Sequence, residues 1–179
     1  DMLLTGYLHY AVLTGLVSRH VTRKDAAILD AGVGTGALGS LLNLLGYNNL
    51  SGIDMSAGML AKAAERKCYS DLRQAVLGEK LDFVDKSFDA ILSTGTFTEG
   101  HAPASAFDEL VRLLEPGGVM IFTISTLVWV EKGFKDALDG FVRAGVLKLV
   151  EVTPIYQPMP YSPAESHVTT RGYVYRKVG

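Results

Sequence analysis

Three alternating glycines, Gly32, Gly34 and Gly36, follow an apolar run that ends at Asp30-Ala31. Glycine tolerates a positive φ and has no Cβ to keep a ligand away from the main chain. When such a loop joins a strand to a helix, a nucleotide-bearing cofactor can lie against its backbone N–H groups. The segment therefore predicts a cofactor site at the carboxyl end of a strand.

Two cofactors are compatible with this loop. The residues from Gly34 to Gly39 fit the pattern G-x-G-x-x-G, and Asp54 follows about 20 residues on, where an acid would bind a ribose hydroxyl, so NAD is admissible. Asp30 argues against NAD because it puts an anion close to the expected pyrophosphate, whereas it suits a cationic ligand such as a sulfonium-bearing amino acid. The chain also has too few residues after Ser125 for a second mononucleotide-binding half.

Short β-rich runs alternate with helical patterns along the rest of the chain, which is typical of a parallel sheet with helices on both faces. We predict one α/β domain over 1–179, with an N-terminal helix in 1–20 that continues a longer segment and a core over 27–179. Its fold class is a doubly wound, mostly parallel seven-stranded sheet with an antiparallel C-terminal edge strand. The predicted strands cover 27–31, 50–54, 72–76, 88–93, 119–125, 147–152 and 168–175, and the later helices 36–45, 57–68, 104–114 and 132–144.

Composition and charge restrict the possible partners. The 179 residues include 17 Lys and Arg against 19 Asp and Glu without a basic run, so we expect no nucleic-acid partner. The longest apolar stretch, Val119 to Val130, is too short for a membrane helix, and we expect no membrane partner. The single cysteine, Cys68, excludes an intrachain disulfide and favours a cytoplasmic location. No spacing of His, Cys, Asp and Glu indicates a metal site.

Four motifs occur in the order found in one known family. They are Asp30 to Gly36, Asp54 after the second strand, Phe88 to Leu92 in the fourth strand, and Leu114 to Gly118 before the fifth. Together they resemble the class I S-adenosylmethionine-dependent methyltransferases over nearly the whole core. The resemblance implies a Rossmann-like methyltransferase fold, S-adenosylmethionine as cofactor, and transfer of a methyl group to a small-molecule acceptor.

Two further segments narrow the resemblance. Ser93 to His101 and Lys135 to Leu138 are similar to the small branch typified by the methyltransferase-like protein of the Williams-Beuren syndrome region. Two alternatives stay open at this point: a non-catalytic S-adenosylmethionine-binding protein and an NAD-linked oxidoreductase.

The resemblance also implies which residues bind the cofactor. One position departs from the family pattern: Leu77 stands where an acid often accepts the adenine amino group, and leucine cannot accept a hydrogen bond. The implied contacts are Asp30, Gly32, Gly34, Thr35 and Gly36 near the methionine part, Asp54 at the ribose, Met55, Met59, Leu77 and Gly78 at the adenine, and Ser93, Thr94 and Gly95 at the methyl-transfer end.

The acceptor side is less clear from the sequence. His101 is the only histidine that we expect near the cleft, and it is our candidate general base. Aromatic side chains are expected to wall a largely apolar acceptor pocket. The candidates for this wall are Tyr7, Tyr10, Phe97, Trp129, Tyr156 and Tyr161.

Overall fold

A computed structural model describes residues 6–179, and the predicted positions 1–5 of the N-terminal helix lie outside the described residues. Strands and helices alternate as the sequence predicts. The strands are β1 Ile28–Ala31, β2 Leu50–Asp54, β3 Asp71–Gln74, β4 Phe88–Phe97, β5 Leu114–Ser125, β6 Leu147–Val152 and β7 Thr170–Lys177. The helices are α1 His9–His20, α2 Ala37–Leu44, α3 Ala57–Glu65, α4 Ala106–Leu113 and α5 Phe134–Arg143, with a 3-10 turn at Pro163–Glu165.

The seven strands form one sheet in the order β3-β2-β1-β4-β5-β7-β6, and β1 to β5 pair in parallel. Successive strand residues point to opposite faces, so each face has its own apolar core. In β4, for example, Ala90 and Leu92 pack with α1 and α2, whereas Ile91 packs with α4 and α5. The predicted doubly wound α/β fold is therefore confirmed.

The final two strands are antiparallel, as expected, because β7 pairs antiparallel with both β5 and β6. The edge position needs a correction: β6 forms the edge, and the C-terminal strand β7 lies inside it. Burial gives the reason, since Tyr173, Val174 and Tyr175 of β7 are all buried, whereas Lys148 and Leu149 of β6 are exposed. A strand that is apolar on both faces gains most from two neighbours.

Several predicted boundaries shift. The first helix begins at His9, because Gly6 has a φ of 67° and the chain turns there. β3 ends at Gln74, two residues early, and β4 continues to Phe97 through a register shift after Ser93. The hydroxyl of Ser56 accepts a hydrogen bond from the Met59 N–H, so the predicted cap of α3 is confirmed.

None of the helices in residues 6–179 has the length and apolar character required to cross a membrane.

Candidate cofactor site and acceptor cavity

The glycine loop adopts the positive φ angles that its composition predicts. Gly32, Gly34 and Gly36 have φ values of 88°, 53° and 76°, in the left-handed region. A Cβ on Gly32 would lie 2.4 Å from Oγ1 of Thr96, and one on Gly36 would lie 3.0 Å from Cα of Ala63, so packing requires both glycines. A Cβ on Gly34 would meet no atom within 4 Å. Gly34 thus faces open space, from which a ligand can approach the main chain.

Asp54, at the carboxyl end of β2, braces this loop. One carboxylate oxygen accepts a hydrogen bond from the Gly34 N–H at 2.9 Å, and the other accepts one from the Ser56 N–H at 2.9 Å. The side chain therefore joins the glycine loop to the start of α3. Each carboxylate oxygen has a second lone pair, so Asp54 can still accept hydroxyl groups from a ligand.

Asp30 is buried beneath the loop and interacts with a residue that sequence reasoning missed. The Tyr69 hydroxyl donates to Oδ2 of Asp30 at 2.7 Å and accepts from the Gly39 N–H at 3.1 Å. Burial raises the pKa of Asp30 to about 6, with a further increase from the Asp54 charge, while the Tyr69 hydrogen bond opposes this shift. A nearby cation would favour the ionised form of Asp30.

The glycine at position 39 explains how Tyr69 reaches this place. A Cβ on Gly39 would lie 2.3 Å from both the hydroxyl oxygen and the ring of Tyr69. No signal in the sequence marks Tyr69, because it precedes β3 and lies far from Asp30 along the chain. In the sequence, Gly39 stands out only as the last glycine of the G-x-G-x-x-G pattern.

The predicted adenine side lies at the exposed edge beside Asp54. Met55 and Met59 expose 69% and 40% of their surface, so both side chains are accessible to a ligand at this edge. Leu77 packs partly against the core, and Gly78 turns with a φ of 103° against Pro103. Because an apolar side chain occupies position 77, this edge offers packing rather than a carboxylate.

Thr35 and the end of β4 complete the predicted set. The Thr35 carbonyl accepts a hydrogen bond from Arg66, which ties the glycine loop to the end of α3. Ser93 is buried and donates to the Ala31 carbonyl at 2.7 Å, so it joins β4 to the loop. The Thr94 hydroxyl is buried without a hydrogen-bond partner in residues 6–179, and the Gly95 N–H donates to Oγ1 of Thr123. An unpaired hydroxyl at this point leaves a polar group for a ligand.

A cavity of about 370 Å³ opens beyond Gly95, over the carboxyl ends of β4 and β5. Its wall combines the end of these strands with residues before α1 and in the loop before β7. The lining residues are Tyr7, His9, Gly95, Phe97, Thr98, Glu99, His101, Thr123, Ser125, Leu127, Pro158, Met159, Glu165, His167, Val168 and Thr170.

The lining corrects our expectation of a largely apolar pocket, because three histidines and two glutamates share the wall with apolar side chains. His101 is therefore not the only histidine here: His9 and His167 reach the cavity because α1 and the loop before β7 fold over it. Of the six predicted aromatic residues, Tyr7 and Phe97 line the cavity.

The other predicted aromatic residues have different positions. Trp129 stacks on Tyr173 with ring centroids 4.7 Å apart, and Tyr161 is 76% exposed. Tyr10 packs edge-on against Tyr7, and the Tyr156 hydroxyl bonds to Nδ1 of His9 at 2.7 Å. None of these four side chains lines the cavity.

His9 and His101 differ in their surroundings. His9 is only 6% exposed, and burial lowers its pKa to about 4, so its ring is neutral at neutral pH. His101 is exposed at the cavity rim, where its Nδ1 lies 3.0 Å from the Glu99 carbonyl. Residues 6–179 contain no group of three or more His, Cys, Asp and Glu side chains placed to hold a metal ion.

A glycine loop at the end of β1, an acid at the end of β2 and a cavity beside β4 define an α/β protein with a candidate site for a nucleotide-bearing cofactor at the switch point of its sheet. Residues 29–122 match the family described as a methyltransferase domain, which is more than half of the chain. The chain belongs to this methyltransferase family. S-Adenosylmethionine is the cofactor that its membership implies.

Individual relatives agree with this assignment. Methyltransferase-like protein 27 of Homo sapiens is 32% identical over 135 residues, covering 73% of this chain and 55% of the relative. Malonyl-acyl-carrier-protein O-methyltransferase of Marinomonas sp. is 33% identical over 117 residues, covering 63% and 43%. An S-adenosylmethionine-dependent methyltransferase structure from Mesorhizobium loti has a TM-score of 0.71 at 18% identity, covering 97% and 99%. The chain thus spans about half the length of these two curated relatives.

Proposed function

We propose that this protein is an S-adenosylmethionine-dependent methyltransferase that acts on a small-molecule acceptor. The observation that carries the proposal is the glycine loop, held by Asp54 and open at Gly34, beside a cavity that begins at Gly95. Family membership supports the cofactor, and the cavity supports an acceptor site next to it.

The residues fit this cofactor in two independent ways. The space in front of Gly34 allows a ligand to contact the main chain, and the unpaired hydroxyl of Thr94 is available where the methyl-transfer end is predicted. We propose that Gly32, Gly34, Thr35 and Gly36 hold the methionine part, with Asp30 favouring its positive charge. The remaining contacts in the proposal are Asp54 to the ribose, Met55, Met59, Leu77 and Gly78 to the adenine, and Ser93, Thr94 and Gly95 beside the methyl group.

When bound, the cofactor supplies a methyl group on a sulfonium, which is already activated for displacement. The chain then has to bring an acceptor into line and keep water out, and positioning of this kind supplies much of the rate. Tyr7 lies beside both the proposed methyl-transfer end and the cavity. It lines the cavity, and a Cβ on Gly95 would lie 2.5 Å from its hydroxyl oxygen. Residues before α1 thus cover the methyl-transfer end of the site.

We expect the purified protein to bind S-adenosylhomocysteine and to gain thermal stability with ligand concentration, since a ligand that binds only the folded state stabilises it by mass action. Isothermal calorimetry and thermal unfolding measure both effects, with NAD as the comparison ligand. Absence of binding at millimolar concentration would refute the proposal, and preferential binding of NAD would favour the oxidoreductase. Binding without turnover on a broad panel of acceptors would favour the non-catalytic alternative.

His101 is our proposed general base, because it lies at the open rim of the cavity and can pass a proton to water. His9 is less suited to this role, since burial of its ring opposes protonation. We expect His101→Ala to lower turnover by about a hundredfold while the affinity for S-adenosylhomocysteine is unchanged. Single-turnover methyl transfer measures the turnover, and calorimetry measures the affinity for S-adenosylhomocysteine. A change in turnover of less than about threefold would leave positioning as the source of the rate and make the histidine incidental.

A further inference from the structure

Tyr69 contacts a carboxylate that belongs to a strand two places away in the sheet. It stands just before β3, whereas Asp30 lies in β1, and β2 runs between these strands. The residue of β2 that pairs with Asp30 is Gly52. A Cβ on Gly52 would stand 3.3 Å from the Tyr69 ring, and one on Gly39 of α2 would stand 2.3 Å from it. Two glycines thus leave the space through which Tyr69 crosses β2.

The two hydrogen bonds of the Tyr69 hydroxyl fix the direction in which it donates. Its oxygen accepts from the Gly39 N–H at 3.1 Å and lies 2.7 Å from Oδ2 of Asp30. A backbone N–H can only donate, and a hydroxyl has one proton, so the hydroxyl donates to the ionised carboxyl group of Asp30. A hydrogen bond of this kind favours the charged form of an acid over the protonated form. Tyr69 therefore opposes the protonation that burial promotes.

The other titratable groups around Asp30 come from several segments. Asp54, at the end of β2, adds a negative charge, which together with the larger effect of burial raises the pKa of Asp30 to about 6. Tyr10 of α1 and Cys68 both lie within the field of Asp30 and of Arg66, and burial raises the pKa of each, so both stay neutral at neutral pH. Helix α2, which packs over this region, contains no titratable side chain. The charge of Asp30 is therefore the one expected to change close to neutral pH.

We propose that Tyr69 is a positioning residue of the cofactor site, and that its hydroxyl keeps Asp30 ionised beneath the glycine loop to attract the ammonium group of the ligand's methionine part. This inference rests on the proposed function and adds a pH-dependent element to the same site. When Asp30 takes up a proton, the attraction is lost and the affinity falls. Without the Tyr69 hydroxyl, Asp30 is protonated more easily, so the fall begins at a higher pH.

The pH dependence of S-adenosylhomocysteine binding tests this inference, because the charges of its amino-acid part change little between about pH 5 and 7. We expect the wild-type affinity to fall by about tenfold from pH 7 to pH 5, as the ionised fraction of Asp30 does. In Tyr69→Phe, which keeps the ring, we expect the midpoint of this fall about one pH unit higher. The two proteins should then differ most at low pH and least at about pH 8. Isothermal calorimetry at a series of pH values gives both profiles.

Two further variants serve as controls. Tyr47 is also a buried tyrosine whose hydroxyl donates at 2.7 Å, but its acceptor is the Val21 carbonyl, so Tyr47→Phe should keep the wild-type profile. Asp30→Asn removes the titrating group and should bind with the same affinity at low and neutral pH. A Tyr69→Phe affinity that is lower by one constant factor at every pH would show a purely structural role and overturn the inference. A wild-type affinity independent of pH would overturn it as well.

Carbon-13 NMR of the Asp30 carboxyl group in the ligand-free protein separates this inference from the proposed function. We expect a titration midpoint of about 6 in the wild type and a higher one in Tyr69→Phe, and an unchanged midpoint in the variant would overturn the inference. If the midpoint moves but S-adenosylhomocysteine binds the wild type at no pH, the proposed function fails, and the cofactor role of Tyr69 fails with it. If the ligand binds and Tyr69→Phe keeps the wild-type profile, the proposed function stands and only this inference fails.

Discussion

Replacing Asp54 by alanine is expected to weaken the binding of S-adenosylhomocysteine by more than tenfold. A hydrogen bond to a charged group contributes about 1.5–3 kcal/mol, and the proposed ribose contact includes two of them. The variant also removes the acceptors of the Gly34 and Ser56 N–H groups, so the glycine loop is no longer hydrogen-bonded through Asp54 to the start of α3. Isothermal calorimetry measures the affinity, and circular dichroism checks that the fold is retained.

Two variants at neighbouring residues separate the effect of Asp54 on ligand affinity from its effect on stability. Ser56→Ala removes the hydroxyl that caps α3 and should lower the free energy of unfolding by about 1 kcal/mol without a comparable loss of affinity. Gly34→Val places a side chain in the open space before the loop, at a φ of 53°, and should weaken binding at least as much as Asp54→Ala. Full affinity in Asp54→Ala would show that the acid only orders the backbone.

Gly39→Ala is expected to destabilise the protein by about 1–3 kcal/mol, although alanine is normally the better residue inside a helix. Gly39 lies in α2, and the added methyl would stand 2.3 Å from Tyr69. Tyr69 would have to move away and give up its bonds to Gly39 and Asp30. Denaturant unfolding monitored by circular dichroism gives the change in free energy.

A second helical glycine provides the control. In α1, a Cβ on Gly15 would approach only the flexible end of Arg19, at 3.8 Å, so Gly15→Ala should stabilise the protein by about 0.5–1 kcal/mol. Opposite signs at the two glycines are the expected result. If both variants are stabilised, the contact between Tyr69 and Gly39 does not matter for stability. Tyr69→Phe then tests the hydroxyl alone, because it keeps the ring and removes the donor to Asp30.

Local patterns were sufficient for much of the fold. Apolar runs ending in glycine or an acid predicted β1 and β2 to within one residue, and Ser56 marked the start of α3. These features depend on neighbours along the chain, where propensity and capping act directly. β3 was harder, because its residues are half-buried or exposed and do not form a clear apolar run.

The order of the final strands could not be read from the sequence in the same way. Either strand of an antiparallel pair can take the edge, and the choice depends on which one gains more from burial between two neighbours in the assembled sheet. Here β7 pairs with β5 over seven residues, from Val119 with Arg176 to Ser125 with Thr170. This selection is a property of the assembled sheet rather than of either strand alone.

By itself, the sequence determined the glycine loop, the acid after β2 and the alternation that brings the strand ends together, because each depends on residues close along the chain. Only the tertiary structure decided what surrounds them. Tyr69 reaches Asp30 across 39 positions, and His9 meets Tyr156 across 147. The cavity beside Gly95 is likewise lined by segments that are distant in sequence. Such contacts arise when separate segments pack against the same sheet edge, so no local pattern records them.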